Sequence, residues 1–113
     1  MNVIVHGTSV TGLKVDEETR CAHYHGQRDI IAIKFKCCGK WFPCHECHTE
    51  FAGHAAEVWP KEEFEAPAIL CGGCGDQLKV REYLACGSVC PHCGRQFNPG
   101  CARHAHLYFE NQA

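Results

Sequence analysis

The sequence predicts a small α+β fold of short, irregular strands and knuckle-like turns, with an apolar core too thin to hold it unaided. Three observations lead there. The chain has 113 residues, the length of one modest domain. Its 45% hydrophobic content includes eleven cysteines, so the apolar core proper is smaller than that figure suggests. Six of those cysteines form the pairs Cys44-His45-Glu46-Cys47, Cys71-Gly72-Gly73-Cys74 and Cys90-Pro91-His92-Cys93, with nine histidines spread along the chain. A two-residue spacer lets one tight turn present both thiolates to a single tetrahedral ion, and three such turns in so short a chain point to zinc. Each structural zinc site contributes on the order of 10 kcal/mol of apparent binding free energy, comparable with the net stability of a whole domain. Metal therefore supplies what the core lacks.

Residues 1–19 read as a lead-in, a loose strand and a loop with turn residues Gly7 and Gly12, and residues 20–113 as the metal-binding domain. Arg28 to Lys36 is the clearest strand, with Ile31, Ile33 and Phe35 on one face and Ala32, Lys34 and Lys36 on the other. It delivers the chain into Cys37 and Cys38. Cys44 to Glu57 reads as a turn running on into a short helix, with Pro60 stopping it just after Trp59. Lys61 to Pro67 is a charged surface connection. Ala68 to Leu70 reads as a strand entering the Cys71 knuckle, and Leu78 to Cys86 fits a strand or a helix. CGGCG and CPHCG each place Gly directly after the second Cys, where a knuckle turn needs positive φ, so the two look like one repeated unit. Trp41, Phe42, Trp59, Phe64, Tyr83, Phe97, Tyr108 and Phe109 supply the packing between sites; an exposed patch at Trp59 or Phe109 would instead mark a partner surface.

The formal charge is −2, and nine thiolates on three divalent ions would bring it to about −5. That is no nucleic-acid footprint, since Arg28, Lys34, Lys36 and Lys40 are balanced by Glu57, Glu62, Glu63 and Glu65. No stretch approaches membrane-spanning length, and Met1 to Val15 lacks the pattern of a secretory signal. An odd number of cysteines fits a disulfide framework badly, so a cytoplasmic protein in a reducing compartment is expected.

Twelve residues complete three four-coordinate sites: Cys21, His23, Cys37, Cys38, Cys44, Cys47, His48, His54, Cys71, Cys74, Cys90 and Cys93. Nine Cys and three His average Cys3His per ion. Neighbouring side chains in extended backbone point to opposite faces. Cys37 and Cys38 should then serve different ions, as should Cys47 and His48, whereas Cys21 and His23 can chelate together. The first site is therefore Cys21, His23, Cys44 and Cys47. Each remaining site takes one downstream pair, one member of the Cys37-Cys38 doublet and one of His48 and His54, with the pairing left open.

The ordered set Cys21-Ala22-His23-Tyr24, Cys37-Cys38, Cys44-x-x-Cys47-His48, His54, Cys71-x-x-Cys74 and Cys90-x-x-Cys93 resembles the CHY-type zinc finger family. The resemblance runs from about Arg20 to Phe109. It implies three structural zinc ions. Some members form the N-terminal part of RING-type ubiquitin ligases; others are stand-alone small proteins, including a mitochondrial intermembrane-space factor that assists assembly of the small Tim chaperones. The chain looks like the stand-alone kind, and its loops from His54 to Cys71 and from Cys74 to Cys90 are longer than in the ligase type.

Catalytic and redox readings fit less well. Cys44-x-x-Cys47-His48 matches a c-type haem attachment motif, but a single copy stands among many zinc ligands. Cys90-Pro91-His92-Cys93 matches an oxidoreductase tetrapeptide without the βαβ frame that activity needs. No His-x-Glu precedes Pro43-Cys44 as zinc deaminases require, and twelve ligands on three ions leave no open position for a substrate. Cys86 and Cys101 read as small buried hydrophobes, with a fourth site from Cys86, Cys101, His104 and His106 as the alternative. The expectation is thus a non-enzymatic protein with three Cys3His-type zinc sites that presents a scaffold to a protein partner. Its alternative is a zinc-handling or thiol-redox assembly factor.

Overall fold

The computed structural model describes residues 2–98 and 107–110. Two strands, β1 (Asn2–Val5) and β2 (Thr8–Thr11), form a hairpin closed by His6-Gly7, and both turn residues have positive φ. That is the turn whose twist matches paired strands. It is also more order than the loose strand and loop expected there. β3 (Ile31–Lys34), β4 (Trp41–Phe42), β5 (Ile69–Cys71) and β6 (Gln77–Leu78) complete a six-stranded sheet in the order β1-β2-β4-β3-β5-β6. Every pairing is antiparallel except the parallel contact of β2 with β4 at Val10 and Trp41. The helices are short: α1 spans His45–Phe51 and α2 Val80–Ala85.

β3 is central, so both of its faces are covered. Ile31 and Ile33 pack with Phe35, Phe42, Ile69, Leu78, Phe97 and Phe109 in the main core. Ala32, expected beside Lys34 on a polar face, is instead fully buried with Val5, Val10, Trp41 and Leu70. The N-terminal hairpin makes that second core, Val5 and Val10 each contributing about 1.5–3 kcal/mol on full burial. Alternation in the sequence could not announce a lid supplied by a distant segment.

The helix after Cys44 ends at Phe51, well short of the expected Trp59, with the Ala52 N–H bonding the His48 carbonyl. The chain leaves the helix there and carries His54 back toward Cys37. Leu78 to Cys86 divides, β6 ending at Leu78 and α2 beginning at Val80, where the Glu82 carboxylate accepts from the Lys79 N–H. Lys61–Glu63 is a single 3₁₀ turn. Phe109 is buried, and Trp59 is half-buried with its indole N–H donating to the Lys34 carbonyl at 2.7 Å. These two rings belong to the packing. No helix among the described residues is long and apolar enough to cross a membrane.

Candidate metal centres

Three groups of four ligand side chains converge, each with its donor atoms within 4.8 Å of one another. The first is Cys21, His23, Cys44 and Cys47; the second Cys37, Cys38, His48 and His54; the third Cys71, Cys74, Cys90 and Cys93. The first donor set is three thiolates with one imidazole, the second two of each, and the third thiolates alone.

In the first centre the loop carrying Cys21 and His23 meets the first turn of α1. The Cys44 sulfur accepts from the Cys47 N–H at 3.4 Å and so caps the helix that positions Cys47. Cys21 and Cys44 sulfurs lie 3.7 Å apart, and His23 Nδ1 lies 3.8, 3.6 and 3.5 Å from the sulfurs of Cys21, Cys44 and Cys47. Zinc–sulfur bonds of about 2.3 Å and zinc–nitrogen bonds of about 2.0 Å give tetrahedral edges of about 3.8 Å for S···S and about 3.5 Å for S···N. The centre has the size of a zinc tetrahedron. Its electrostatics favour a cation as well. Hydrogen bonds from Cys44 and Cys47 drive the Cys21 thiol down to about 2, and the same contacts push Cys44 up and Cys47 up to about 11. Three crowded thiolates repel one another, and a divalent ion lets all three ionise together. Behind the centre, His23 Nε2–H donates to the Glu50 carboxylate at 3.0 Å, fixing the tautomer that offers Nδ1 to a metal.

The second centre corrects the expected pairing, which sent Cys37 and Cys38 to different ions. Opposed side chains belong to extended backbone, but residues 36–38 form a turn that the Gly39 N–H closes onto the Phe35 carbonyl at 2.8 Å. Both thiols then face one way. His48 and His54 approach with Nε2 each 3.2 Å from the Cys37 sulfur, and His54 Nδ1–H donates to the Ala52 carbonyl at 3.0 Å. His48 is buried and stacks on Phe35 at 4.2 Å, and burial pushes its pKa down, favouring the neutral ring that ligates metal. Cys47 and His48 do serve separate centres, because successive residues on α1 point about 100° apart.

The third centre uses both downstream pairs, not one pair with a doublet member and a histidine. Cys71 and Cys93 sulfurs are 3.8 Å apart, as are those of Cys74 and Cys90. The two knuckles fold alike: Gly75 N–H bonds the Cys71 carbonyl at 2.8 Å and Gly94 N–H the Cys90 carbonyl at 2.9 Å, with φ of +82° and +79°. Burial raises the Cys71 and Cys74 thiols, a penalty that a shared cation removes. Of the three Cys3His sites expected, the first alone has that composition; the second exchanges a thiolate for an imidazole, and the third is all thiolate.

Cys86 donates its thiol to the Tyr83 carbonyl at 3.0 Å. Cys101, His104 and His106, the other members of the fourth site weighed above, lie outside the described residues. Sequence reasoning missed Glu50, although it stands three residues after Cys47 on the same helix and so on the same side. It also missed His6, whose Nε2–H bonds the Gly72 carbonyl, and the pair of Glu18 with Arg95 beside the third centre. No local signal links residues so distant in the chain.

The family model of the CHY zinc finger matches residues 21–104. Helper of Tim protein 13 of Saccharomyces cerevisiae is 42% identical over 107 residues, covering 92% of each chain. Helper of Tim protein 13 of Kluyveromyces lactis is 40% identical over 100 residues, covering 88% of this chain and 87% of its own length. No solved structure matches significantly. Donor geometry and family together make this a zinc-binding protein with three Cys/His centres. The expected cytoplasmic location is overturned by these relatives, whose names make them helpers of Tim proteins. Cysteine usage misled because cysteines recruited as metal ligands report the metal, not the compartment.

Proposed function

The chain belongs to the CHY zinc finger family, and on that premise we propose that it is a non-catalytic, zinc-folded scaffold that assists assembly of Tim-type proteins in the mitochondrial intermembrane space. The observation that carries this reading is the end-to-end likeness to Helper of Tim protein 13, at 92% coverage of both chains. Three four-ligand donor sets support the non-catalytic part, since each fills a tetrahedral ion and leaves no position for substrate.

The test is a binding assay between the zinc-loaded protein and purified small Tim proteins. Retention that is lost when the chain is stripped of zinc and unfolded supports the scaffold. Absence of binding in both reduced and oxidised Tim protein sinks it. The second reading, in which zinc or thiols exchange with the partner, is favoured by one feature: Cys93 is exposed in a centre made only of thiolates. Release of one ion within seconds to a chromophoric chelator, with the fold intact, selects that reading; all-or-none loss selects the inert scaffold.

A further inference from the structure

The family model begins at residue 21, yet the segment before it touches the third centre at both of its knuckles. His6 opens the β1–β2 turn at φ +48° and donates from Nε2–H to the Gly72 carbonyl at 2.9 Å, inside the Cys71–Cys74 knuckle. The same residue sits on Gly75: a β-carbon there would come within 2.5 Å of the His6 β-carbon. Glu18 adds a second grip. Its backbone carbonyl lies so close to Gly72 that a β-carbon would approach within 2.1 Å, and its carboxylate pairs with the guanidinium of Arg95, two residues after Cys93. Burial of Val5 and Val10 anchors the hairpin that carries His6.

The third centre gains from such support. Cys93 is exposed and Cys74 only half-buried, and none of its ligands is a histidine that a carboxylate could orient. Two knuckles joined through α2 must stay together for four sulfurs to share one ion. A tetrathiolate zinc also carries net negative charge, and Glu18 holds the Arg95 guanidinium beside it.

We propose that residues 2–18 form a retention clamp for the Cys71, Cys74, Cys90 and Cys93 zinc, with His6 and Glu18 as positioning residues that hold the two knuckles at ligation distance. Zinc leaves a thiolate centre stepwise, one ligand swinging away before the next. A knuckle cannot swing while His6 holds Gly72 and Glu18 holds Arg95, so metal leaves this centre when the clamp lifts. The clamp operates whichever partner the protein serves.

The experiment uses the full zinc-loaded chain, challenged with a chromophoric chelator, with remaining ions counted over time by native mass spectrometry. His6→Asn suits the positive φ of the turn while shortening the side chain beyond reach of Gly72. Glu18→Ala removes the acceptor that holds Arg95. Each should release one of the three ions about tenfold faster, and the double variant up to about 100-fold faster, the scale of lost outer-shell contacts. The other two ions should leave at the unmodified rate. Ile4→Thr, on an exposed hairpin position, should change nothing. Cobalt substitution identifies the early ion, because loss from a four-thiolate site removes the largest share of sulfur-to-cobalt charge-transfer absorption. Equal acceleration of all three ions, early loss from a histidine-containing centre, or an unchanged double variant overturns the proposal. Should the His6 variant fail to fold, Glu18→Ala alone decides it by the same readouts.

Discussion

The Cys21 centre and the Cys71 centre use similar donors but are held from opposite directions. Three of the four residues of the first are buried inside the main core, its helix is capped by one of its own sulfurs, and its histidine is braced by Glu50. The third has two sulfurs, Cys71 and Cys90, in the same core, with Cys74 half-buried and Cys93 exposed, and its two near-identical knuckles are braced from outside by His6 and Glu18. A centre with three ligands in the core organises the packing around it, whereas one with two ligands turned outward fastens elements that already have packing of their own. The sharpest way to break this contrast is to remove one sulfur from each. Cys47→Ser should lose the first ion and, through α1, the second, forfeiting on the order of 10 kcal/mol, about the whole stability of a domain. Native mass spectrometry should find at most one ion and circular dichroism an unfolded chain. Cys93→Ser should keep two ions and a cooperative melt. Equal damage from both substitutions would erase the distinction.

Phe35→Ala tests the same contrast through packing alone. Phe35 is buried, stacks on His48 at 4.2 Å and meets Phe42 and Tyr108 edge-on, both at 5.5 Å. Truncation should cost about 3–5 kcal/mol in denaturant unfolding of the zinc-loaded protein. Because the ring supports a ligand of the second centre, that ion should become the first released, while the third centre keeps its rate. A loss below about 1 kcal/mol would show that metal, and not the ring, holds His48.

These contrasts also explain what could be read from the residues in advance. Ligand types and their order were legible because Cys-x-x-Cys turns are local devices, and Cys21 with His23 because alternate residues in extended chain share a face. Sharing of ions was not, since it depended on a turn at residues 36–38 that replaced the extended backbone assumed for Cys37 and Cys38. The strand at Ile31–Lys34 showed its apolar residues plainly, yet the burial of Ala32 required knowing that Val5 and Val10 lie across it. Glu50, His6 and Glu18 act through partners 27, 66 and 77 residues away, and no periodicity encodes such distances.

The two knuckle glycines give a smaller and more local comparison. Both have positive φ, where an added β-carbon costs roughly 1–2 kcal/mol. A β-carbon on Gly94 meets nothing within 4 Å, so Gly94→Ala should cost about 1 kcal/mol by thermal unfolding. One on Gly75 collides with His6. Gly75→Ala should therefore cost measurably more than Gly94→Ala and also hasten zinc release from the third centre. Identical costs would mean that His6 does not press on the knuckle.

The smallest effect is expected at the brace of the first centre. Glu50→Gln leaves an amide oxygen that still accepts from His23 Nε2–H, so only the charge-assisted part of the bond disappears. The carboxylate is also about half exposed, which weakens the charge contribution further. Zinc affinity at the first centre should fall by less than about tenfold, below the usual range for a lost outer-shell partner, with the melting curve unmoved. Glu50→Ala removes the acceptor altogether and should reach about tenfold. Competition titrations with chelators of graded strength resolve the two. Release rates at the third centre, which contains no histidine, should be the same in both variants; a change there would mean that the two centres are coupled through the sheet and are not held independently.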